Sequence, residues 1–493
     1  MLSGDVTVLN IKHAILTRVA ELAYEGKLEE GRDAIPYEIS PGPKAKFRCC
    51  VFREREIVKE RVRLAQGLDA NPNAKSNNVV QVITAACDDC QISRYTVTDN
   101  CRGCLQHACR SACKFNAITI GKGNRSYIDP SLCKECGQCA KACPYNAIAD
   151  LVRPCKQSCP TGAITMDENG ICVIDESKCV QCGRCVHSCP FGAIGTKTSI
   201  VDIIKAMQAG KKVYAMLAPS WEGQFGADIT IDSWKPAMKK IGFEDCLEVA
   251  LGGDLTAAAE AAEWAEAYKE GKKMTTSCCP AFVSYIKKHF PEFVDNISTS
   301  ISPMCAMSRM LKAKDPDCVV VFIGPCVAKK AEVRDSELEG NADYALTFGE
   351  IRAMMRAKKV QLEPAEYKTQ QGSVFGKRFG NSGGVTDAVL QRFKETDVDA
   401  TNIKVAKCNG LEECKKMLTL WKFGKFTDDF IEGMSCIGGC VGGPSSHRKE
   451  MLAKKDRDNL IKKADDRNIE QAIEMENIDL KSFSMHKGPH KEA

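Results

Sequence analysis

The sequence predicts an α/β region preceded by a cysteine-rich array and a mainly helical N-terminal region. Three observations carry that prediction. Apolar residues recur at helical spacing before residue 87, a cysteine repeat fills residues 87 to 195, and strand and helix patterns alternate from Ser199 onward. The expected boundaries are 1–86, 87–198, 199–447 and a charged helical tail at 448–493.

Lys12 to Glu29 carries apolar residues at helical spacing, and Glu54 to Gln66 reads as a charged amphipathic helix. Pro36, Pro41 and Pro43 mark the stretch between them as a loop or extended connector, and the Asn-rich stretch Asp69 to Asn78 closes the region as another loop. In the array, Cys113-Lys-Phe-Asn-Ala-Ile, Cys143-Pro-Tyr-Asn-Ala-Ile, Cys159-Pro-Thr-Gly-Ala-Ile and Cys189-Pro-Phe-Gly-Ala-Ile echo one another as like units. Further on, Lys212 to Leu217 and Cys318 to Ile323 read as strands and Gly253 to Tyr268 as a helix. After Ser446 the chain turns charged and apolar-poor, which predicts a surface helix or two with a loose end beyond His486.

Composition narrows the function classes. A net charge of +5 is thinly spread over 493 residues, with no basic aromatic stripe, so nucleic-acid binding has little support. The longest apolar run, near Cys318 to Gly324, suits a buried strand and is too short for a membrane span. The N-terminus lacks the pattern of a secretory signal. The 29 cysteines therefore read as reduced cytoplasmic thiolates bound to iron, in an anaerobic setting, rather than as disulfides.

Cys133, Cys136, Cys139 and Cys143 follow the C-x2-C-x2-C-x3-C-P run of bacterial ferredoxins, as do Cys179, Cys182, Cys185 and Cys189. In such runs a tight loop presents three thiolates to one cubane, and the fourth cysteine serves another cluster. Paired zinc ribbons would instead need separated CxxC knuckles. Cys101, Cys104, Cys109 and Cys113 resemble a motif of multi-cluster electron-transfer subunits of anaerobic reductases. Cys155 and Cys159 look like half of a further motif, with Cys87 and Cys90 as its other half. Four quartets follow: Cys101, Cys104, Cys109 with Cys143; Cys133, Cys136, Cys139 with Cys113; Cys179, Cys182, Cys185 with Cys159; and Cys87, Cys90, Cys155 with Cys189. The last is assigned only to balance ligands. In the alternative there are two accessory clusters, with the Cys133 and Cys179 runs paired and the rest structural. Cys49, Cys50, Cys172, Cys246, Cys318, Cys408 and Cys414 fit no motif and read as small buried hydrophobes; Cys305 stays open.

Three motifs in the C-terminal half are not CxxC hairpins: Thr276-Ser277-Cys278-Cys279-Pro280, Gly324-Pro325-Cys326-Val327-Ala328-Lys329-Lys330, and Glu432-Gly433-Met434-Ser435-Cys436-Ile437-Gly438-Gly439-Cys440. Together they supply enough thiolates for a cubane assembled from distant segments. The set resembles the iron-only (FeFe) hydrogenases over residues 130 to 447. The resemblance implies a catalytic domain of two lobes of mixed sheet flanked by helices, preceded by ferredoxin-like iron-sulfur domains.

It also implies an H-cluster, a 4Fe-4S cubane joined to a diiron unit carrying carbonyl, cyanide and a bridging dithiolate, plus two to four accessory 4Fe-4S clusters. Its cubane ligands would be Cys279, Cys326, Cys436 and Cys440, with Cys440 as the bridge. Cys278 would pass protons, with an outward route through Glu260, Ser298 and Glu263. The two glutamates are three apart on a predicted helix and so share a face. Lys329 would donate to a cyanide, Glu332 would salt-bridge to order the loop, and Met434 would pack on the diiron unit. Ala218, Pro219, Ser220, Ser302 and Pro325 match further pocket segments. Gly438, Gly439, Gly442 and Gly443 fit a close approach of backbone to the cofactor.

The chain departs from better-known members at Gly324, Met304, Phe282 and Pro444, where they carry Met, Gln, Trp and Gly. This suggests a divergent subclass, often called group B. The implied activity is reversible H2 oxidation and proton reduction, with a ferredoxin-like electron carrier and hydrogenase maturation proteins as partners. The alternative is an H2-sensing or regulatory iron-sulfur protein with low turnover. Sensors tend to lack the Cys278 thiol and usually carry a signalling region not evident here. Hydrogenase-like iron-sulfur assembly proteins, another competitor, do not normally retain Cys278, Lys329 and Met434 together.

Overall fold

A computed structural model describes residues 7–87, 90 and 93–487. The first helix spans Val8–Tyr24, and the Thr7 hydroxyl caps it by accepting the Asn10 N–H at 3.2 Å. Its buried face, with Ile11, Ile15, Leu16 and Val19, packs on the helices Val51–Ala65, Ile200–Gln208 and Phe348–Ala357. One continuous apolar core therefore joins the N-terminal helices to the α/β region. The connector expected at Pro36 is partly helical instead, over Ile35–Ile39. Proline in a first helical turn has no intrahelical N–H bond to lose.

The strand Val80–Val82 pairs antiparallel with Ile194–Thr196, tying the N-terminal region to the far end of the cysteine array. Within the array, three short antiparallel pairs form: Tyr95–Val97 with Ile148–Asp150, Ile118–Ile120 with Ser126–Ile128, and Ile164–Met166 with Cys172–Ile174. The repeat has a conformational basis. Short helices end at Cys143, Cys159 and Cys189, each extended before its proline. Three residues beyond each fourth cysteine, Asn116, Asn146, Gly162 and Gly192 adopt left-handed backbone, which explains why only Asn or Gly stands there. This turn lets the Ala147 and Ala193 amides donate to the Cys143 and Cys189 sulfurs at 3.4 and 3.2 Å.

Two sheets build the α/β region. The first orders Cys246–Glu248, Val213–Leu217, Val319–Gly324 and Tyr344–Thr347; the second orders Met274–Thr275, Phe430–Met434 and Val405–Asn409. The α/β class holds, but every strand pair in both sheets is parallel rather than mixed, because their connections cross over through helices instead of turning in hairpins.

The tail forms the helices Glu450–Ile461 and Ile469–Met475. It is not merely a surface layer, since Arg457 and Leu460 are buried. Nor is its end loose as far as Lys487: Ile301 N–H donates to Met485 O and Lys487 N–H to Thr299 O, both at 2.9 Å. Residues 488–493 of the expected loose end lie outside the described residues. No helix among the described residues is long and apolar enough to cross a membrane.

Candidate functional site

The three C-terminal cysteine motifs meet because of the parallel sheets. Leu217 leads into Ala218-Pro219-Ser220, Gly324 into Pro325-Cys326, Thr275 into Thr276-Ser277-Cys278-Cys279, and Met434 into Ser435-Cys436. Each segment leaves the carboxyl end of its strand, where open α/β sheets commonly form a crevice. A cavity of about 80 Å³ lies there. Cys278, Cys279, Cys326, Cys436 and Cys440 line it, together with Ala218, Pro219, Ser220, Pro325, Lys329 and Met434. Met304, where the chain departs from the family pattern, and Phe379, which no motif singled out, add to the apolar wall.

Burial and neighbouring thiols raise three of the four proposed ligands, Cys326, Cys436 and Cys440. Burial, then Cys440 and Cys279, pushes Cys326 up. Burial, then Cys326, Cys279 and Cys440, pushes Cys436 well above the usual thiol range. Burial and Cys279 take Cys440 to about 11, against Lys329 and Arg457. Four sulfurs so placed can ionise together only around a compensating positive core. Among the described residues no three His, Cys, Asp or Glu side chains form a single-ion site. A cubane suits this, since each of its irons takes a separate thiolate. Ser220 and Ser435 hydroxyls are buried on the cavity without a hydrogen-bond partner, as suits a group that brings its own polar atoms. The donor set and its surroundings fit the implied cluster.

Ser302 and Glu332 do not line this cavity; they hold Lys329. Lys329 Nζ donates to Ser302 Oγ at 2.9 Å and to the Cys278 carbonyl at 3.5 Å, and pairs with Glu332 at 2.6 Å. Burial alone would lower this lysine, but Glu332 more than offsets it and keeps the ammonium charged. Cys305, left open by its motif, is buried behind the cavity, and its backbone N–H donates to Ser302 Oγ at 3.5 Å.

Behind Cys278, the helix Ala250–Lys269 carries Glu260 and Glu263. Burial, then Glu260, pushes the Cys278 thiol well up. Burial, then Glu263 and Glu432, lifts Glu260 to about 8 against a smaller opposing pull from Trp264, and neither Glu260 oxygen has a close hydrogen-bond partner. Ser298 Oγ donates to Glu263 at 2.7 Å, and the Thr299 N–H donates to the same carboxylate at 2.8 Å. Beyond them, Thr299 Oγ1 meets Nδ1 of the exposed His486 at 2.8 Å. Glu432, which accepts the Gly383 and Thr386 amides, is a carboxylate near this path that the third motif contains but whose charge sequence reasoning missed.

The glycines of the third motif also make close protein contacts, while Gly439 and Gly443 line the cavity. A Cβ at Gly439 would collide with Gly380 O, one at Gly442 with Ile437 O, and one at Gly433 with the Phe282 ring. Gly438 and Gly439 also take left-handed backbone.

The accessory cysteines lie in groups along the array. Burial, with Cys159 close by, raises Cys179, Cys182 and Cys185. The quartet assigned only by balance also assembles: Cys87, Cys155 and Cys189 all act on Cys90. Cys133 and Cys113 act on Cys139. Cys101 is hydrogen-bonded to Ser126, whose Oγ also contacts Cys109 Sγ at 3.1 Å, while Cys143 packs in the same apolar cluster as Cys109. Cys104 and the exposed Cys136 belong to the same two loops. The Cys179 run meets Cys159. Cys182 also lines the central cavity and acts on Cys436, so this quartet abuts the central one.

Two readings of the remaining cysteines change. Cys49 and Cys50 are exposed rather than buried, since they precede the helix Val51–Ala65 in an irregular segment. Cys172 is buried but not inert: its N–H donates to Cys87 Sγ at 3.3 Å and its thiol hydrogen-bonds to Cys155, lowering Cys155 to about 6.

Sequence comparison agrees with this arrangement. Residues 211–444 match the C-terminal domain of the iron-only hydrogenase large subunit, residues 126–149 a 4Fe-4S binding domain, and residues 149–200 the LdpA Fe-S cluster-binding domain. Iron hydrogenase 1 of Clostridium pasteurianum is 28% identical over 302 residues, covering 50% of this chain and 52% of that protein. The periplasmic Fe hydrogenase large subunit of Nitratidesulfovibrio vulgaris is 30% identical over 300 residues, covering 50% of this chain and 71% of that protein. A probable cytosolic Fe-S cluster assembly factor of Brugia malayi is 22% identical, covering 44% of this chain and 57% of its own length. A variant structure of the FeFe-hydrogenase HydA1 from Chlamydomonas reinhardtii aligns with a TM-score of 0.45 at 20% identity, covering 54% of this chain and 88% of that one. The chain thus spans about half the length of the first of these relatives. With the cysteine-lined crevice and the domain match over its lining segments, the sequence likeness makes this chain an iron-sulfur protein of the iron-only hydrogenase family.

Proposed function

We propose that the chain interconverts dihydrogen with protons and electrons at an H-cluster held by Cys279, Cys326, Cys436 and Cys440. The observation that carries this reading is the convergence of those four thiols on one buried apolar cavity beside a fifth, Cys278, that is backed by Glu260. When bound, the cluster would supply the heterolytic chemistry of H2 and a store for its electrons. The protein's own residues do the rest. Lys329, fixed by Ser302 and Glu332, presents a charged donor to the cavity for a strong acceptor such as cyanide. Met434, Met304 and Phe379 exclude water.

Cys278 takes up or delivers the proton, a general acid/base task. Glu260, protonated near neutral pH, releases its own proton toward Glu263 as it takes up the one from Cys278, and Glu263 with Ser298 carries the released proton toward the surface. Cys182 and its quartet carry electrons away from the Cys436 side, toward the remaining cubanes and a ferredoxin-like carrier. Maturation proteins would supply the diiron unit.

The relatives that are assembly factors favour a second reading, a cluster-assembly role without the diiron unit. Retention of Cys278, Lys329 and Met434 around one cavity supports the catalytic reading. Infrared spectra of protein matured with the diiron unit test it. Carbonyl and cyanide bands with H2-dependent viologen reduction are expected; their joint absence leaves only the assembly or electron-conduit reading.

A further inference from the structure

A second cavity, of about 840 Å³, lies between the first helix, the loop around Cys189 and the segment Pro444 to His447. Its walls are strongly cationic. Lys12, Lys46, Arg48 and Arg61 line it with His13 and His447, and no acidic residue is among the described residues lining it. The carboxylate that faces Lys12, Glu350, is committed elsewhere: it pairs with Lys330 at 2.5 Å and accepts the Thr347 N–H at 2.8 Å. Glu60, beside Arg61, accepts the Thr84 and Ala85 amides.

Several of these groups are buried and incompletely satisfied. Arg61 is 8% exposed; its Nη2 donates to Gly192 O at 2.6 Å, but its Nε has no partner. His13 is 7% exposed with Nδ1 unpartnered, and His447 Nε2 is likewise unpartnered. Burial, then Arg356 and Lys12, takes His13 down to about 3, so this imidazole is neutral among the neighbouring cations. Cys189, a proposed cluster thiolate on the same wall, offsets part of the Arg61 charge, but gathering Lys12, Lys46 and Arg48 with it around an open space still favours a further anion.

We infer that this cavity binds a phosphate-bearing organic anion of nucleotide size. Arginine forks and lysines match phosphate oxygens. The volume lies within the roughly 300–1,000 Å³ of small-molecule sites, more than a lone inorganic ion needs. Phe47 and Phe191 offer apolar faces beside the cations, and Arg48 already lies over the Phe191 ring at 5.3 Å. The site also gives the N-terminal region a role: Lys12 and Arg61 sit on its two long helices, and the bound anion would join them to the Cys189 loop.

Calorimetric titration of the full chain, with its iron-sulfur clusters, tests this in low salt with ADP, inorganic pyrophosphate and adenosine. ADP should saturate one site, pyrophosphate should displace it, and adenosine should not bind. Lys12→Gln and Lys46→Gln, both outside the core, should each weaken ADP about tenfold with iron-sulfur absorbance unchanged. Lack of saturable ADP binding overturns the inference, as does adenosine binding as tightly as ADP. ADP binding that neither variant alters puts the site elsewhere and overturns it too. Binding of pyrophosphate without ADP overturns the nucleotide-sized ligand.

Discussion

Ser302 Oγ accepts the Lys329 ammonium at 2.9 Å while capping the helix Pro303–Lys314, so one hydroxyl sets both a helix start and the direction of a buried cation. Ser302→Ala should remove the cap and one acceptor together. The expected cost is about 1–2 kcal/mol in chemical denaturation, and an unchanged midpoint would show that the hydroxyl carries neither role.

Cys278→Ala should leave the four ligand thiols in place. In matured protein, carbonyl and cyanide bands should persist while H2-dependent dye reduction falls at least about a hundredfold, the scale of a lost general acid/base. Undiminished turnover would remove Cys278 from the proton route.

Glu260 gives a pH signature. Its folded pKa, about 8, lies above the ordinary value of 4.5, chiefly through burial. The unfolded chain therefore ionises first as pH rises, and this group lowers stability progressively between about pH 4.5 and 8. Glu260→Gln should match the parent near pH 4 and exceed it by on the order of 3 kcal/mol at pH 7. Thermal melts across that range check the crossover; a constant difference would contradict the assigned shift.

Lys377 sits in a buried network, with Nζ 2.6 Å from Glu248 and 3.1 Å from Glu222, while Arg457 of the tail approaches Glu222 at 3.8 Å. Lys377→Met would leave two buried carboxylates with one distant cation. A loss of about 3–5 kcal/mol is expected in urea unfolding. A neutral effect would mean that the carboxylates take up protons at little cost.

How much of this was legible depends on the range of each interaction. The ferredoxin-type runs were readable because a CxxC loop and its proline act within a few residues. So were the strand at Val319–Gly324 and the helix at Ala250–Lys269, whose periodicities are local. The contact of Cys172 with Cys155 and Cys87 was not, because residue 172 lies outside any spacing pattern and arrives through a strand pairing. The protein neighbours of the third motif's glycines were not readable for a related reason. The glycine spacing fits close approach by any bulky neighbour, and only the packed structure reveals Gly380, Ile437 and Phe282 as those neighbours.

By itself the sequence determined the chemistry on offer: which thiols exist, in what order, and which lysine and carboxylates travel with them. Tertiary structure decided which of them meet. Parallel strands carry segments hundreds of residues apart to one carboxyl edge, and the tail returns to Ser300 beside Glu263. Local spacing cannot encode such meetings, because they depend on burying apolar faces across the whole chain, and that burial is a property of the assembled core.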